Sequence, residues 1–219
     1  MLNHPNISDR IYDILCEQII SQKLRFGTRI KEEEVAQELG VSRTPLRDAI
    51  NRLVKDGYLE AEPRKGARVT RFQIKDVEEV YDLRMALEGL AARLSASELD
   101  AEELKHLMSH FSEKVKDTKA LHKADTQLHD LIIRNCGNDR LIHMLDNLYK
   151  LIRIFRLTGY SSPERSGMAT SDHVEIIKAF LKRDANLAEQ KVREHIRKTK
   201  EQILSQFEQQ QEQSENDEV

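Results

Sequence analysis

The 219-residue sequence has no tryptophan, six phenylalanines, five tyrosines, two cysteines, four prolines and eight glycines. Each shortage removes a class of protein. Cys16 and Cys136 stand far apart, without the close spacing of a zinc knuckle or redox motif, and two thiols cannot build a disulfide framework. They read as inert buried thiols in a reducing compartment, so a cytoplasmic protein is expected. So little glycine and proline leaves few turns for a many-stranded β protein. No apolar run approaches the ~18 residues of a membrane span, and the first residues carry no apolar leader. Neither charge sign is in large excess, with 35 Lys and Arg against 38 Asp and Glu and a formal net charge of −3. A globally basic surface of the kind that coats nucleic acid is therefore missing. The mixed signs and plentiful Leu, Ile and Val argue against disorder and leave long helices as the default.

What is present is unevenly distributed. Gly27, Gly40, Gly57 and Gly66 fall before residue 72, whereas seven of the eight histidines fall after residue 100. Residues 1–72 hold 13 basic and 11 acidic side chains, and 73–219 hold 22 and 27. Within 43–71 basic residues outnumber acidic ones by 8 to 4. Two units are expected, 1–72 and 73–208, with a Gln-rich, acidic tail over 209–219 that reads as frayed or disordered.

In the first unit Ser8 is a plausible N-cap, and Ile11, Ile14 or Leu15, and Ile19 recur at helical spacing. A second helix over Glu32 to Leu39 ends at Gly40, whose freedom at positive φ suits a sharp turn. Ser42 is placed to cap a third helix, with Pro45 in the first turn and Leu46, Ile50 and Leu53 inward. Two helices joined through a glycine-centred turn make a helix-turn-helix. Arg43, Thr44, Arg47 and Asn51 lie off the apolar stripe. The fork of an arginine there matches the O6/N7 edge of guanine. Tyr58–Glu62 and Ala67–Arg71 read as two strands. The turn between them, Pro63-Arg64-Lys65-Gly66, reads as a basic wing, with Arg64, Lys65 and Arg68 placed for phosphates or the minor groove.

The run EEVAQELGVSRTPLRDAINRLVKDGYLEAEPRKGARVT resembles the N-terminal winged helix of GntR-family bacterial transcription regulators. The resemblance implies a homodimer reading two palindromic operator half-sites in double-stranded DNA. By it Arg43 and Arg47 contact bases, Ser42 and Thr44 phosphates, and Lys65 with Gly66 the minor groove. Some relatives carry a further DNA-contacting arginine early in the second helix. Here that place reads Glu32-Glu33-Glu34, so that contact is not carried over.

The second unit reads as six helices, at about 75–97, 100–117, 119–135, 138–158, 172–182 and 185–207, with no strand-like alternation. The fold class is mainly α: a winged helix-turn-helix followed by an all-α bundle. Val77, Val80, Leu83 or Leu87, and Leu90 are expected inward on the first of these helices. Leu104, Leu107, Met108, Phe111 and Val115 are expected inward on the second. His106 and His110 are spaced i, i+4 but point away from that stripe, so a solvated face is expected. Asp125 and His129 lie on or beside the apolar arc of Leu121, Leu128 and Ile132. His173 sits within the stripe of Ile176, Ile177 and Phe180, and His195 borders that of Val192, Thr199 and Ile203. A carboxylate in an apolar stripe is costly unless paired or ligating. Four ligand-type residues on inward faces of three helices suggest a metal site in the bundle core, against the plainer reading of a polar network.

Asp125-x-x-x-His129 followed by DHVEIIKAFLKRDANLAEQKVREHI is similar to the FCD ligand-binding domain of one branch of the GntR family, the FadR-type branch. YDLRMALEGLAARLSA resembles that domain's first helix. The metal-binding members use one Asp and three His, which fall here on Asp125, His129, His173 and His195. Leu128 and Arg183 depart from the pattern, standing where an aromatic residue and a glycine are frequent. Such ligands suit a divalent transition metal: zinc first, with nickel, cobalt, manganese or iron as alternatives. Coordination positions left open would accept a small carboxylate effector. Arg84 is the first candidate to pair with it, ahead of Arg153 and Arg156, although Arg84 can equally bridge to Glu88 at i+4. The expected function is a metal-dependent regulator, a repressor relieved by its effector, and not an enzyme. A direct metal sensor and, further off, a metal-dependent enzyme fused to a DNA-binding domain are the alternatives.

Overall fold

The computed structural model describes residues 6–111, 118–159 and 163–217, and side chains for 6–111, 120–155, 170–205 and 208. It divides into two compact units. One comprises Met1–Gln73 with Lys150–Thr158, the other Ile74–Tyr149 with Gly159–Val219.

The first unit runs α1 (Ile7–Ile20), β1 (Arg29–Ile30), α2 (Glu32–Leu39), α3 (Arg43–Lys55), β2 (Leu59–Glu62) and β3 (Gly66–Val69). Its antiparallel sheet has the order β1-β3-β2. The two-residue β1 escapes sequence reading because it is too short to show alternation. Asn6, not Ser8, is the N-cap of α1, and its backbone N–H donates to the Asp9 carboxylate at 3.2 Å. Ser8 is buried instead. The apolar faces of α1 and α3 meet the sheet through Ile11, Leu15, Ile19, Leu46, Leu53, Tyr58, Leu59 and Val69, all at most 2% exposed. Gly40 ends α2 at φ 65, and the Val41 N–H then closes on the Ala36 carbonyl at 3.0 Å. That turn delivers the chain to Ser42 in extended conformation at the head of α3.

The second unit contains α4 (Ile74–Ser95), α5 (Ala101–His110), α6 (Thr118–Arg134), α7 (Asp139–Gly159), α8 (Pro163–Leu181) and α9 (Ala185–Asp217). The last residues of α7 count with the first unit, whose core includes Ile154. Asp100 accepts from the Glu102 and Glu103 N–H groups at 2.9 Å and so starts α5. Two boundaries differ from expectation. α8 starts at Pro163 instead of near 172, with proline in the first turn, where its missing N–H costs little. α9 runs to Asp217 instead of ending near 207, because Gln and Glu are good helix formers and nothing in the segment breaks a helix. Val115 lies outside the described residues.

The inward face of α4 also differs. Leu90 was expected inside, with either Leu83 or Leu87; Leu90 and Leu83 are 41% and 54% exposed, and Leu87 is half-buried. Val77, Tyr81, Arg84, Glu88, Ala91 and Ser95 turn inward, because the interior holds a polar network that accepts two charged side chains. Gly89 permits α4 and α9 to approach closely, since a Cβ there would lie 2.8 Å from Arg193 Cγ. Arg183 takes φ 54 between α8 and α9, which is the conformation that glycine would adopt without strain.

Candidate functional site

Recognition surface. Ser42, Arg43, Thr44 and Arg47 on α3, and Arg64, Lys65 and Gly66 in the hairpin turn, are all exposed. Ser42 sits at the N-cap position, yet its hydroxyl makes no capping bond, so capping is not its role here. The β2–β3 register pairs Glu62 with Gly66, and the Lys65 N–H closes the turn on the Glu62 carbonyl at 3.0 Å. Gly66 stands at φ 88, a conformation that an L side chain adopts only with strain. Arg29 ties β1 to the wing by donating from Nε to the Lys65 carbonyl at 2.8 Å. Arg68 is committed to Glu62. Arg43, Arg47, Lys65 and Gly66 line one open cleft of about 400 Å³, together with Glu32 and Glu33. The helix arginines and the wing thus share one surface, as a base-reading helix with a flanking phosphate-binding wing requires.

Buried histidine centre. Asp125 and His129 come from α6, His173 from α8 and His195 from α9, and each is at most 4% exposed. One possible ligand atom from each lies within 4.8 Å of the others. Asp125 Oδ1 is 2.9 Å from His173 Nε2 and 3.6 Å from His129 Nε2. Phe111 stacks on the His173 ring with centroids 4.5 Å apart. His106 and His110 lie on the outer side of α5, as their spacing against the stripe foretold.

Around this centre the structure places residues that sequence reading assigned differently or missed. Glu88 was foreseen only as a partner of Arg84, but it organises the network. Its Oε2 accepts from His129 Nδ1 at 2.5 Å, and its Oε1 accepts from Arg84 Nε at 2.5 Å and from Tyr149 Oη at 2.7 Å. A proton held on Nδ1 leaves the His129 Nε2 lone pair facing the cluster. Burial alone would raise the Glu88 carboxyl, but Arg84 and His129 outweigh it and hold Glu88 ionised. Burial pushes His129 down, yet Glu88 and Asp125 together carry it above the ordinary histidine value. Burial, reinforced by His173 and His129, drives His195 well below that value and keeps its imidazole neutral. Asp172, also missed, lies 4.0 Å from His195 Nδ1 and is held by Lys198 at 2.7 Å. The dipeptide Asp172-His173 was the available signal, but it gave no sign that the carboxylate faces a different histidine.

Among the described residues His173 Nδ1 and His195 Nε2 are buried without a hydrogen-bond partner. An unsatisfied buried nitrogen costs about 1–3 kcal/mol. Two such atoms inside an Asp and three-His cluster fit the donor set of a divalent transition metal. Arg84 is fully buried beside them. Its Nη2 is 3.5 Å from His129 Nε2, and among the described residues its Nη1 has no hydrogen-bond partner. Arg153 does not join the centre: it is exposed, belongs to the first unit and acts electrostatically on Cys16 there. The α7 residue that reaches Glu88 is Tyr149 and not Arg153. The side chain of Arg156 lies outside the described ones.

A winged helix with an arginine-lined cleft, in one chain with a helical bundle enclosing a cluster fit for a metal, is the make-up of DNA-binding transcriptional regulators that carry a second, all-α domain. Residues 7–69 match the gntR family of bacterial regulatory proteins, and residues 79–198 match the FCD domain. The chain belongs to the GntR family of regulators with an FCD-type C-terminal domain. It is 33% identical over 196 residues to the HTH-type transcriptional regulator YdhC of Bacillus subtilis (strain 168), spanning 85% of this chain and 86% of that one. It is 29% identical over 190 residues to the gluconate operon transcriptional repressor of Bacillus licheniformis, spanning 80% and 76%. Its fold is that of Escherichia coli McbR/YncC, at 19% identity, TM-score 0.74 and coverage of 92% and 99%. No described helix is long and apolar enough to cross a membrane.

Proposed function

We propose that this regulator is a homodimeric repressor of the FadR-type branch, whose operator affinity is set by a small organic acid bound in the FCD-type domain at a metal, most simply zinc. The observation that carries this reading is the fully buried Arg84, whose Nη1 has no hydrogen-bond partner among the described residues and which accompanies the four-residue cluster. A bound divalent ion would supply open coordination positions for carboxylate oxygens. Asp125, His129, His173 and His195 would hold it, with the imidazoles neutral. Glu88 orients His129 and anchors Arg84 through Nε, which leaves the far end of the guanidinium for an anion. The enclosed charges of Arg84, Glu88 and Asp125 sum to one negative. With a divalent cation held the set carries one positive charge, which a single carboxylate neutralises. The repressor assignment and the organic acid also accord with the gluconate operon repressor among the relatives.

DNA reading rests in this proposal on Arg43 and Arg47 for bases, Ser42 and Thr44 for phosphates, and Arg64, Lys65 and Gly66 in the wing. Dimerisation is supported by Leu83, Leu87, Leu90 and Leu94 of α4. They recur at spacings of four, three and four, and the three that are most exposed stand 41–54% open to solvent.

The test has two steps. Elemental analysis of protein purified without a histidine tag is expected to find close to one transition-metal ion per chain. A DNA-shift titration with mono-, di- and hydroxycarboxylates is then expected to weaken operator binding for at least one of them, and Arg84→Lys to abolish that response. Metal-free protein with unchanged DNA binding would overturn the reading. A response to metal alone, with no carboxylate effect, would identify a direct metal sensor instead.

A further inference from the structure

Three consecutive glutamates open α2, and they are not equivalent. Glu34 is 68% exposed and pairs with Lys31 at 2.9 Å within its own segment. Glu33 is 76% exposed and accepts from Arg43 Nη2 at 2.5 Å. Glu32 alone is sheltered, at 25% exposure, and its Oε2 accepts from Arg47 Nε at 2.7 Å. Only Lys31 separates it from β1, and the β1–β3 ladder pairs Ile30 with Ala67 and so fixes where Glu32 stands beside α3. Glu32, Arg43, Arg47 and the wing residues Lys65 and Gly66 line the same cleft.

The atom used on each arginine matters. An arginine reads guanine with two parallel N–H groups directed at O6 and N7. Engaging Arg47 at Nε leaves Nη1 and Nη2 as such a pair, turned away from the carboxylate. Engaging Arg43 at Nη2 occupies one end of the fork. A free arginine on a helix surface samples many rotamers and loses that freedom on binding. A sheltered carboxylate holding Nε removes part of that loss before DNA arrives.

We propose that Glu32 is a positioning residue for base recognition: it presets the guanidinium of Arg47 so that its two terminal amino groups face one base pair of the half-site. The proposal rests on the reading of Arg47 as a base contact. Glu32 touches no DNA in this scheme and acts only through Arg47. Glu33, bound to the end of the Arg43 fork, does not share the role and serves as the control.

The experiment selects binding sequences from a pool of random-sequence duplexes with the full-length protein and with R47A, E32Q and E33Q, after thermal melts establish that all four are folded alike. R47A identifies the base pair that Arg47 reads, as the position that loses its preference. E32Q is expected to relax that same position by about tenfold and to leave the others unchanged, in line with the discrimination of one bidentate contact. E33Q is expected to keep the preference there. If R47A relaxes a position and E32Q retains full preference at it, the positioning role is wrong, while the DNA contact stands. If E32Q relaxes all positions equally, Glu32 acts through general charge or fold and the proposal fails. If R47A changes no position, the underlying assignment of Arg47 as a base contact fails, and the proposal with it.

Discussion

Replacing Glu88 by glutamine isolates what a buried carboxylate does for a neighbouring histidine. Glu88 and Arg84 are both fully buried, and the Glu88 carboxylate accepts from three donors: His129 Nδ1, Arg84 Nε and Tyr149 Oη. Glutamine keeps the shape but has one acceptor oxygen and presents an NH2 in place of the other. If the oxygen stays with Arg84 and Tyr149, the NH2 faces His129 Nδ1. The ring then must place its proton on Nε2, the atom 3.6 Å from Asp125 Oδ1. A protonated Nε2 cannot ligate, so metal binding must first reverse the tautomer. Loss of such an outer carboxylate typically lowers metal affinity 10- to 100-fold, which is about 1.4–2.7 kcal/mol. Glu88→Ala does more, because it leaves the Arg84 charge buried without its partner, at about 3–5 kcal/mol. Competition between the metal-stripped protein and a chromophoric chelator for zinc measures the first effect, and a thermal melt measures the second. E88Q is expected to remain folded and to bind zinc at least tenfold more weakly. Wild-type zinc affinity in a folded E88Q protein would refute the tautomer argument.

Three further outcomes follow from separate parts of the molecule. Arg43→Ala is expected to weaken binding to a selected DNA site by roughly 10- to 100-fold with an unchanged melting curve; a stability loss with DNA binding intact would refute the assignment. Leu90→Glu places a charge in the exposed leucine stripe of α4 and is expected to shift sedimentation from dimer to monomer without unfolding the chain; an unaltered dimer would move the interface elsewhere. The metal-free protein is expected to lose stability as pH falls below the ordinary histidine value of 6.5, because the unfolded chain then takes up a proton that folded His195 refuses. His129 has the opposite sign: its raised value supplies stability that is complete below 6.5 and fades as pH rises through the folded value. Thermal melts at stepped pH, with and without His195→Asn, separate the two, and an acid limb that survives His195→Asn would refute the assignment.

The parts of this molecule that were legible in the sequence are those governed by local periodicity. Asp125 and His129 share a helix, and the faces of His173 and His195 follow from their apolar neighbours, so their convergence was readable at 100° per residue. The recognition helix was readable because Gly40, Ser42 and Pro45 punctuate its start. What escaped depends on tertiary context. Glu88 looks like an ordinary i+4 partner of Arg84 until α6 brings His129 to its other oxygen. Leucine at 83 and 90 looks like core, because an apolar stripe does not say whether the chain's own bundle covers it. Arg153 resembled a ligand because its helix was right and its place along that helix was not.

The same asymmetry explains how a chain with a net charge of −3 reads DNA. The basic excess of 43–71 is offset in part, since Arg43 and Arg47 are each held by a glutamate of α2 and Arg68 is held by Glu62. An arginine paired in the free protein contributes less long-range pull toward phosphate than a bare one, and exposed pairs of this kind are worth little to folding. In the proposed scheme these pairs lower affinity for arbitrary duplex, and the hold on Arg47 through Nε leaves that one guanidinium fork oriented for a base pair. In that scheme a duplex without the preferred base pair meets the carboxylates of the cleft as well as its arginines. A regulator that must find a few operators among many competing sites gains more from that penalty than from added positive charge.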